Sequence, residues 1–341
     1  MSSKRLLARS RTYTHPSGIT FTTPLLVPSF SSKGFPRVRQ GQPWVARVLE
    51  TTAEWLTDTM LISAYDVYHN HIPSPEQLVA TPELTIVDSG GYEAGIDEDL
   101  SAVAVREHDP LPWAAEHARA VYDSWPQRFN AIFVSYDHPA RRIPLAQQVS
   151  EATTLFARYP QQMHSLLLKP TTQQQEYLRN VLGEVAEVPE VLRPFHVIGV
   201  TEKELGSSFL ERMQRLAELR LDLDEAGVDA PIQVFGALDP IASCLYFISG
   251  AEIFDGLTWL RYAYFDGMCV YRANYGALSR LDLRDMLVDA KTMTDNVHYL
   301  HRLELSMRRV ALDDDVGHFL HHTDLFRRAF DDLRARMKGR L

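Results

Sequence analysis

Cysteine is scarce: the 341-residue chain has two, Cys244 and Cys269. Two distant thiols make neither a disulfide framework nor a zinc quartet, and the expected setting is a reducing cytoplasm. Long hydrophobic runs are also missing. No stretch reaches the roughly 18 apolar residues of a membrane-spanning helix, and the basic N-terminus "MSSKRLLARSRTYTHPSG" has no apolar signal core. Positive charge is in deficit, with 35 Lys and Arg against 44 Asp and Glu, a net charge of −9. That excludes bulk attraction to nucleic acid. A local basic surface is still allowed, because phosphate contacts depend on where charges sit. There is no internal repeat and no low-complexity linker. What is present is a 45% hydrophobic content, enough for a substantial globular core.

That apolar content is organised. Eight short, β-branched runs occupy 23–30, 59–65, 84–89, 131–137, 164–170, 196–201, 232–237 and 252–257. Several are apolar without alternation, as strands buried on both faces of a parallel sheet require. Between them, 44–56, 112–125, 145–159, 206–227 and 239–251 carry apolar residues at helical spacing. Asp239-Pro240 is a helix start, an N-cap acid followed by proline. Eight strand–helix units predict an α/β fold, a (β/α)8 TIM barrel. An N-terminal hairpin is expected within the first 22 residues. Residues 1–276 read as the barrel domain, and 277–341 as a C-terminal helical appendage.

In such a barrel, reactive groups sit where strands end. Here the ends carry Asp88, Asp137, Lys169, Thr201 with Glu202, Phe235 with Gly236, and Asp255. Any one aspartate is explained by a helix N-cap after a strand; three converging on one mouth are not. Asp255 is the weakest N-cap candidate, since "FDGLTWLRYAYFDG" opens no obvious helix. Around Asp88 runs "TIVDSGGYEAG" (85–95). Gly90 and Gly91 suit a tight turn or a close ligand approach. Ser89 offers a donor, and Tyr92 a ring to lie on a flat ligand.

This "DSGG-aromatic" stretch resembles the signature of the tRNA-guanine transglycosylase family. The resemblance runs in order over about residues 15–270. "TPLLVPSFSSKG", "MLISAYDVYHNHIPSPEQL" with Tyr68-His69, "AIFVSYDHP", "HVIGVTEKELG" and "IQVFGALDPIASCLYFISGAEIFDG" are each similar to a family segment. The family exchanges a guanine in nucleic acid for a 7-deazaguanine. The resemblance implies that Asp255 is the nucleophile at C1′, forming a covalent glycosyl intermediate. It implies that Asp88 is the general acid/base, a role that favours a raised pKa. Asp137 would accept from the N1–H and 2-amino group of guanine. Tyr92 and Phe235 would be the stacking rings, and Gly199 and Gly236 would let backbone approach the base.

The chain also departs from the family. Lys169 replaces a base-reading glutamine, and it would either donate to the base O6 or pair with a mouth aspartate. Glu93 stands where glutamine is common. Gly199-Val200-Thr201 replaces Gly-Gly-Leu. The zinc site is missing, so no cofactor is expected, and the basic anticodon-reading segment after strand 8 is not recognisable. Both features serve tRNA docking. Their loss places DNA ahead of tRNA and points to the DNA-guanine transglycosylase branch, with a duplex-opening protein as a possible helper. A base-releasing hydrolase and a non-catalytic nucleic-acid binder are the alternatives. Retention of both Asp88 and Asp255 speaks against the binder.

Lys33, Arg37 and Arg39 after strand 1, with Arg261 and Arg272, are candidate phosphate contacts, against the plainer reading of a solvated charged loop. His318, His321 and His322 have metal-binding spacing on an expected helix, though an exposed polar helix face explains them more simply.

Overall fold

The eight apolar runs form strands that pair in chain order, and the last returns to the first. In the computed structural model, which describes residues 5–34, 43–56, 58–77, 82–96, 98–102, 109–137, 141–171 and 177–341, a hairpin comes first, β1 (Thr12–Thr14) and β2 (Thr20–Thr22). The barrel strands follow: β3 (Leu25–Phe30), β4 (Thr59–Ser63), β5 (Leu84–Asp88), β6 (Ala131–Val134), β7 (Met163–Leu167), β8 (Val197–Thr201), β9 (Ile232–Phe235) and β10 (Ile253–Gly256). All neighbours are parallel, and β10 pairs with β3 to close the barrel. The chain is therefore an α/β (β/α)8 TIM barrel. Closure leaves no edge strand, and helices cover the outer face.

Strand periodicity divides the core in two, because successive side chains point to opposite faces. Leu25, Val27, Leu84, Ile86, Ile132, Val134, Val197 and Ile253 fill the barrel interior. Their alternates, among them Leu26, Val87, Phe133, Ile198, Val234 and Phe254, pack outward with the helices. A fully buried aliphatic side chain of this kind contributes roughly 1.5–3 kcal/mol. The hairpin closes the N-terminal end. Phe21 packs on the interior cluster, His15 Nε2 lies 3.2 Å from Ala131 O, and Tyr13 OH donates to Glu252 at 3.3 Å.

The helices expected from spacing form at Trp44–Thr52, Ala115–Ser124, Leu145–Phe156, Phe209–Glu225 and Pro240–Ile248. Asp239 caps the last as its sequence requires, with Oδ1 accepting from Ile241 N and Ala242 N at 2.9 and 3.0 Å. After β10 comes a short antiparallel pair, β11 (Ala263–Phe265) and β12 (Met268–Val270). The long helix Asp285–Asp313 is built into the barrel wall. Leu300, Leu303, Met307 and Val310 join the main core at helical spacing. Asn296 accepts from Tyr264 N and donates to Trp259 O, while Glu304 accepts from Leu26 N. No helix among the described residues is long and apolar enough to cross a membrane.

His318, His321 and His322 do not lie together on one helix as their spacing suggests. His318 ends a 3-10 turn, and His322 precedes the helix Thr323–Arg336 with a left-handed backbone, φ 58°. The three rings do not share a helix face. His318 pairs with Asp313 at 2.6 Å, and His322 Nε2 meets Asp266 O at 2.9 Å.

Candidate active site

Inward parity carries two acids to the barrel's C-terminal end. In β5 the interior side chains run Leu84, Ile86, Asp88; in β10 they run Ile253, Asp255. Both acids line one cavity of about 140 Å³ at that end. One water needs about 10–15 Å³ by the same measure, so a flat heterocycle has room.

Asp255 is 4% exposed. Gln233 Nε2 donates to its Oδ2 at 2.8 Å, and Ser29 Oγ to its Oδ1 at 3.3 Å. Burial is the main cause that pushes its pKa up to about 7; the Gln233 hydrogen bond opposes this, and the Asp88 charge adds to it. Asp88 accepts from Gly90 N at 3.1 Å. Burial pushes it up to about 6, against the Gly90 N–H and with help from the Asp137 charge. Two carboxyls facing one cavity thus titrate near neutrality. Such shifts mark groups set up for proton transfer.

The rest of the DSGG segment is structural in detail. Ser89 is fully buried; its Oγ accepts from Asp137 N at 3.0 Å and its carbonyl from Trp113 Nε1 at 3.0 Å. Gly90 has φ +88°, and a Cβ there would lie 2.7 Å from Tyr65 Cβ. Gly91 lines the cavity, and its bare Cα admits the Asp137 carboxylate: a Cβ would fall 2.7 Å from Oδ2. Ser89 and Gly90 therefore shape the turn that places Asp88 and Asp137, and neither lines the cavity. Gly199 likewise makes room for another wall residue, since a Cβ would meet the Phe235 ring at 2.7 Å. Phe235 and Gly236 do line the cavity.

Asp137 sits in a charged corner. Lys169 Nζ lies 3.2 Å from Asp137 Oδ2, 2.8 Å from Glu204 Oε2 and 3.4 Å from Thr201 Oγ1. Arg142 approaches Asp137 Oδ1 at 3.7 Å and Glu204 at 3.8 Å. Burial works against the lysine's charge, but Asp137 and Glu204 outweigh it and raise its pKa. Of the two readings for Lys169, the ion pair with a mouth aspartate is the one formed. Asp137 Oδ1 is buried without a hydrogen-bond donor among the described residues. It is an open acceptor beside the cavity.

Tyr92 is held from behind. Lys33 Nζ lies 4.3 Å from its ring centroid, and Arg261 donates to its hydroxyl at 3.1 Å. The structure places the expected phosphate contacts elsewhere. Lys33 is 6% exposed and donates to the Tyr92 and Gly95 carbonyls at 2.9 Å each. Arg261 binds Asp99 and Ser101 as well as Tyr92. Arg272 pairs with Asp289 at 3.0 Å and donates to Leu260 O. Lys33 and Arg261 serve the cavity wall, and Arg272 fastens the segment after β10. Arg37 and Arg39 lie outside the described residues.

Three side chains extend the site. Gln233 and Ser29 hold Asp255; neither stood among the residues expected from sequence, although each is a polar residue at an inward position of an apolar strand. Glu93, 2% exposed, lines the cavity and accepts from Ser31 and, at 2.7 Å, from Ser63. Burial, then the charges of Asp66 and Asp88, push it up to about 8. Among the described residues no group of three or more His, Cys, Asp or Glu is arranged to hold a metal.

The lining is acidic overall, with an aromatic wall and two buried carboxyls, Asp88 and Asp255, that burial raises toward neutrality. Such a site favours a ligand that presents N–H donors and develops positive charge as it reacts. Comparison with protein-family models and with curated proteins finds no match.

Proposed function

We propose that the protein is a nucleic-acid guanine transglycosylase that exchanges guanine for a 7-deazaguanine base, with DNA as the favoured polymer ahead of tRNA. The observation that carries this reading is the pair Asp88 and Asp255 facing one cavity, Asp255 oriented by Gln233 and Ser29. The ordered sequence resemblance supplies the substrate class; the cavity supplies compatible chemistry.

In this reading the Asp255 carboxylate attacks C1′ of the target nucleoside. A C1′–O bond forms as the C1′–N9 bond breaks, and the base leaves with the electron pair and takes a proton from Asp88. The incoming base returns that proton to Asp88 and displaces Asp255 from C1′. The positive charge that develops on the sugar lies beside carboxylates, which stabilise it. Asp137 Oδ1 accepts an N–H of the base edge. Tyr92 and Phe235 present ring surface to it. The scarcity of cysteine and the missing basic segment after β10 favour DNA over tRNA, because the three closely spaced cysteines of a tRNA-docking zinc module are not in this sequence.

The test is incubation with DNA or tRNA and labelled guanine or 7-deazaguanine, repeated with Asp255→Asn. The expected result is label in DNA and a covalent protein–DNA adduct, both lost in the variant. Base release without incorporation would instead identify a hydrolase. Neither release nor incorporation on either polymer would end the enzymatic reading.

A further inference from the structure

A second cavity, of about 790 Å³, lies between the helices Ala115–Ser124 and Leu145–Phe156 and the ends of β6 and β7. Asp137, Leu167 and Lys169 line both this cavity and the one holding Asp88 and Asp255. The partition between the two is thus one side chain thick, and its polar part is the Lys169–Asp137 ion pair at 3.2 Å.

We infer that this second cavity is a separate passage through which a planar purine-like base leaves and enters the site. The inference rests on the transglycosylase reading and adds a route to it. While the sugar is bonded to Asp255, the polymer stays at the barrel mouth. The departing base must nonetheless go, and another must arrive at the same atoms. A side opening next to the base-reading carboxylate meets that need without releasing the polymer.

The partition is built to yield at one point. Gln148 fixes the backbone of Lys169 from both sides, its Nε2 donating to Lys169 O at 2.8 Å and its Oε1 accepting from Lys169 N at 3.0 Å. The lysine ammonium is held by two anions at once, Asp137 at 3.2 Å and Glu204 at 2.8 Å, so releasing Asp137 leaves it paired. Asp137 keeps Arg142 nearby at 3.7 Å. Beyond the partition, Trp113 and Tyr136 line the passage and give a flat heterocycle aromatic surface.

The test uses the full chain with a guanine-containing DNA oligonucleotide. The covalent adduct is formed, freed of guanine, and chased with labelled guanine. Ile143→Trp and Ala115→Trp each add bulk to residues that line only the second cavity, and two positions guard against one variant misfolding. The expected result is a chase slowed about tenfold in both variants, with Ile143→Ala like wild type and the initial attack on DNA changed less than about twofold. Unchanged chase rates in folded tryptophan variants would overturn the passage and leave the transglycosylase reading intact. Failure of the wild-type protein to form an adduct with DNA or tRNA would overturn both.

Discussion

Asp88 on β5 and Asp255 on β10 face one cavity across the two intervening strands, β3 and β4. The charge of Asp88 is felt at Asp255 and helps to raise its pKa. The protonation of Asp88 therefore bears on that of Asp255, and the first two of four experiments follow from their setting.

Activity is expected to follow a bell-shaped pH profile centred between about 6 and 7, the values at which burial sets the two acids. Below that range both acids are protonated and the nucleophile is lost; above it both are ionised and no proton remains for the departing base. Because Asp255 lies above Asp88, the reactive form, Asp255 ionised with Asp88 protonated, is the minor of the two singly protonated forms. The profile of kcat/KM measures this; Asp88→Asn should remove the alkaline limb along with most of the activity.

Asp255→Asn is expected to stabilise the fold at high pH. Its folded-state value is raised from 3.8 to about 7, so the folded state binds the extra proton between those values. Folding stability therefore falls as pH climbs from about 4 to 7 and is level above that. The gain on substitution is absent near pH 4 and reaches at most about 4 kcal/mol above pH 8. Urea unfolding of both proteins at pH 4 and pH 8 tests the sign; a variant less stable at pH 8 would refute it.

Gly90→Ala and Gly91→Ala should both lower stability, and Gly91→Ala should act directly on base reading. At Gly90 the backbone is left-handed and a Cβ strikes Tyr65 and Trp113. The expected cost is about 2–3 kcal/mol, a fall in Tm. At Gly91 a Cβ would lie 2.7 Å from Asp137 Oδ2 and 2.8 Å from its Cβ, so the side chain cannot clear it by rotation alone. A cost of about 1–3 kcal/mol is expected, and base exchange is lost as Asp137 is displaced; thermal melts and the guanine-exchange assay measure the two effects.

Arg220→Ala should destabilise by about 3–5 kcal/mol. The guanidinium is fully buried, donates to Ala230 O and Val228 O at 2.8 and 3.0 Å, and faces the buried Glu252 at 3.9 Å. Removing it takes the buried cation from Glu252, which keeps, among the described residues, only the Thr23 and Tyr13 hydroxyls as donors, and from Asp224, 2.8 Å away. Adding Glu252→Gln should recover part of the loss, because the uncompensated charge goes too. Thermal melts of the single and double variants measure the coupling. This cluster lies at the N-terminal end of the barrel, away from the cavity, where such residues serve stability.

The sequence by itself determined the barrel and the two acids. Eight apolar runs between helical segments leave few other closed architectures, and strand parity from Leu84 and Ile86 to Asp88, and from Ile253 to Asp255, aims both side chains inward. The same parity exposes Ser29 and Gln233 as interior polar groups. Tertiary structure decided the rest, because parity ends where the strands end. Continued from Ile132 and Val134, it would put Tyr136 in the cavity. Instead β6 stops at Val134, Tyr136 lines the second cavity, and Asp137 lines both. Nor does one-dimensional spacing assign partners to cations. Lys33 and Arg261 read as surface charges in the sequence, yet they brace Tyr92 from inside, because the acceptors that hold them come from segments distant in the chain.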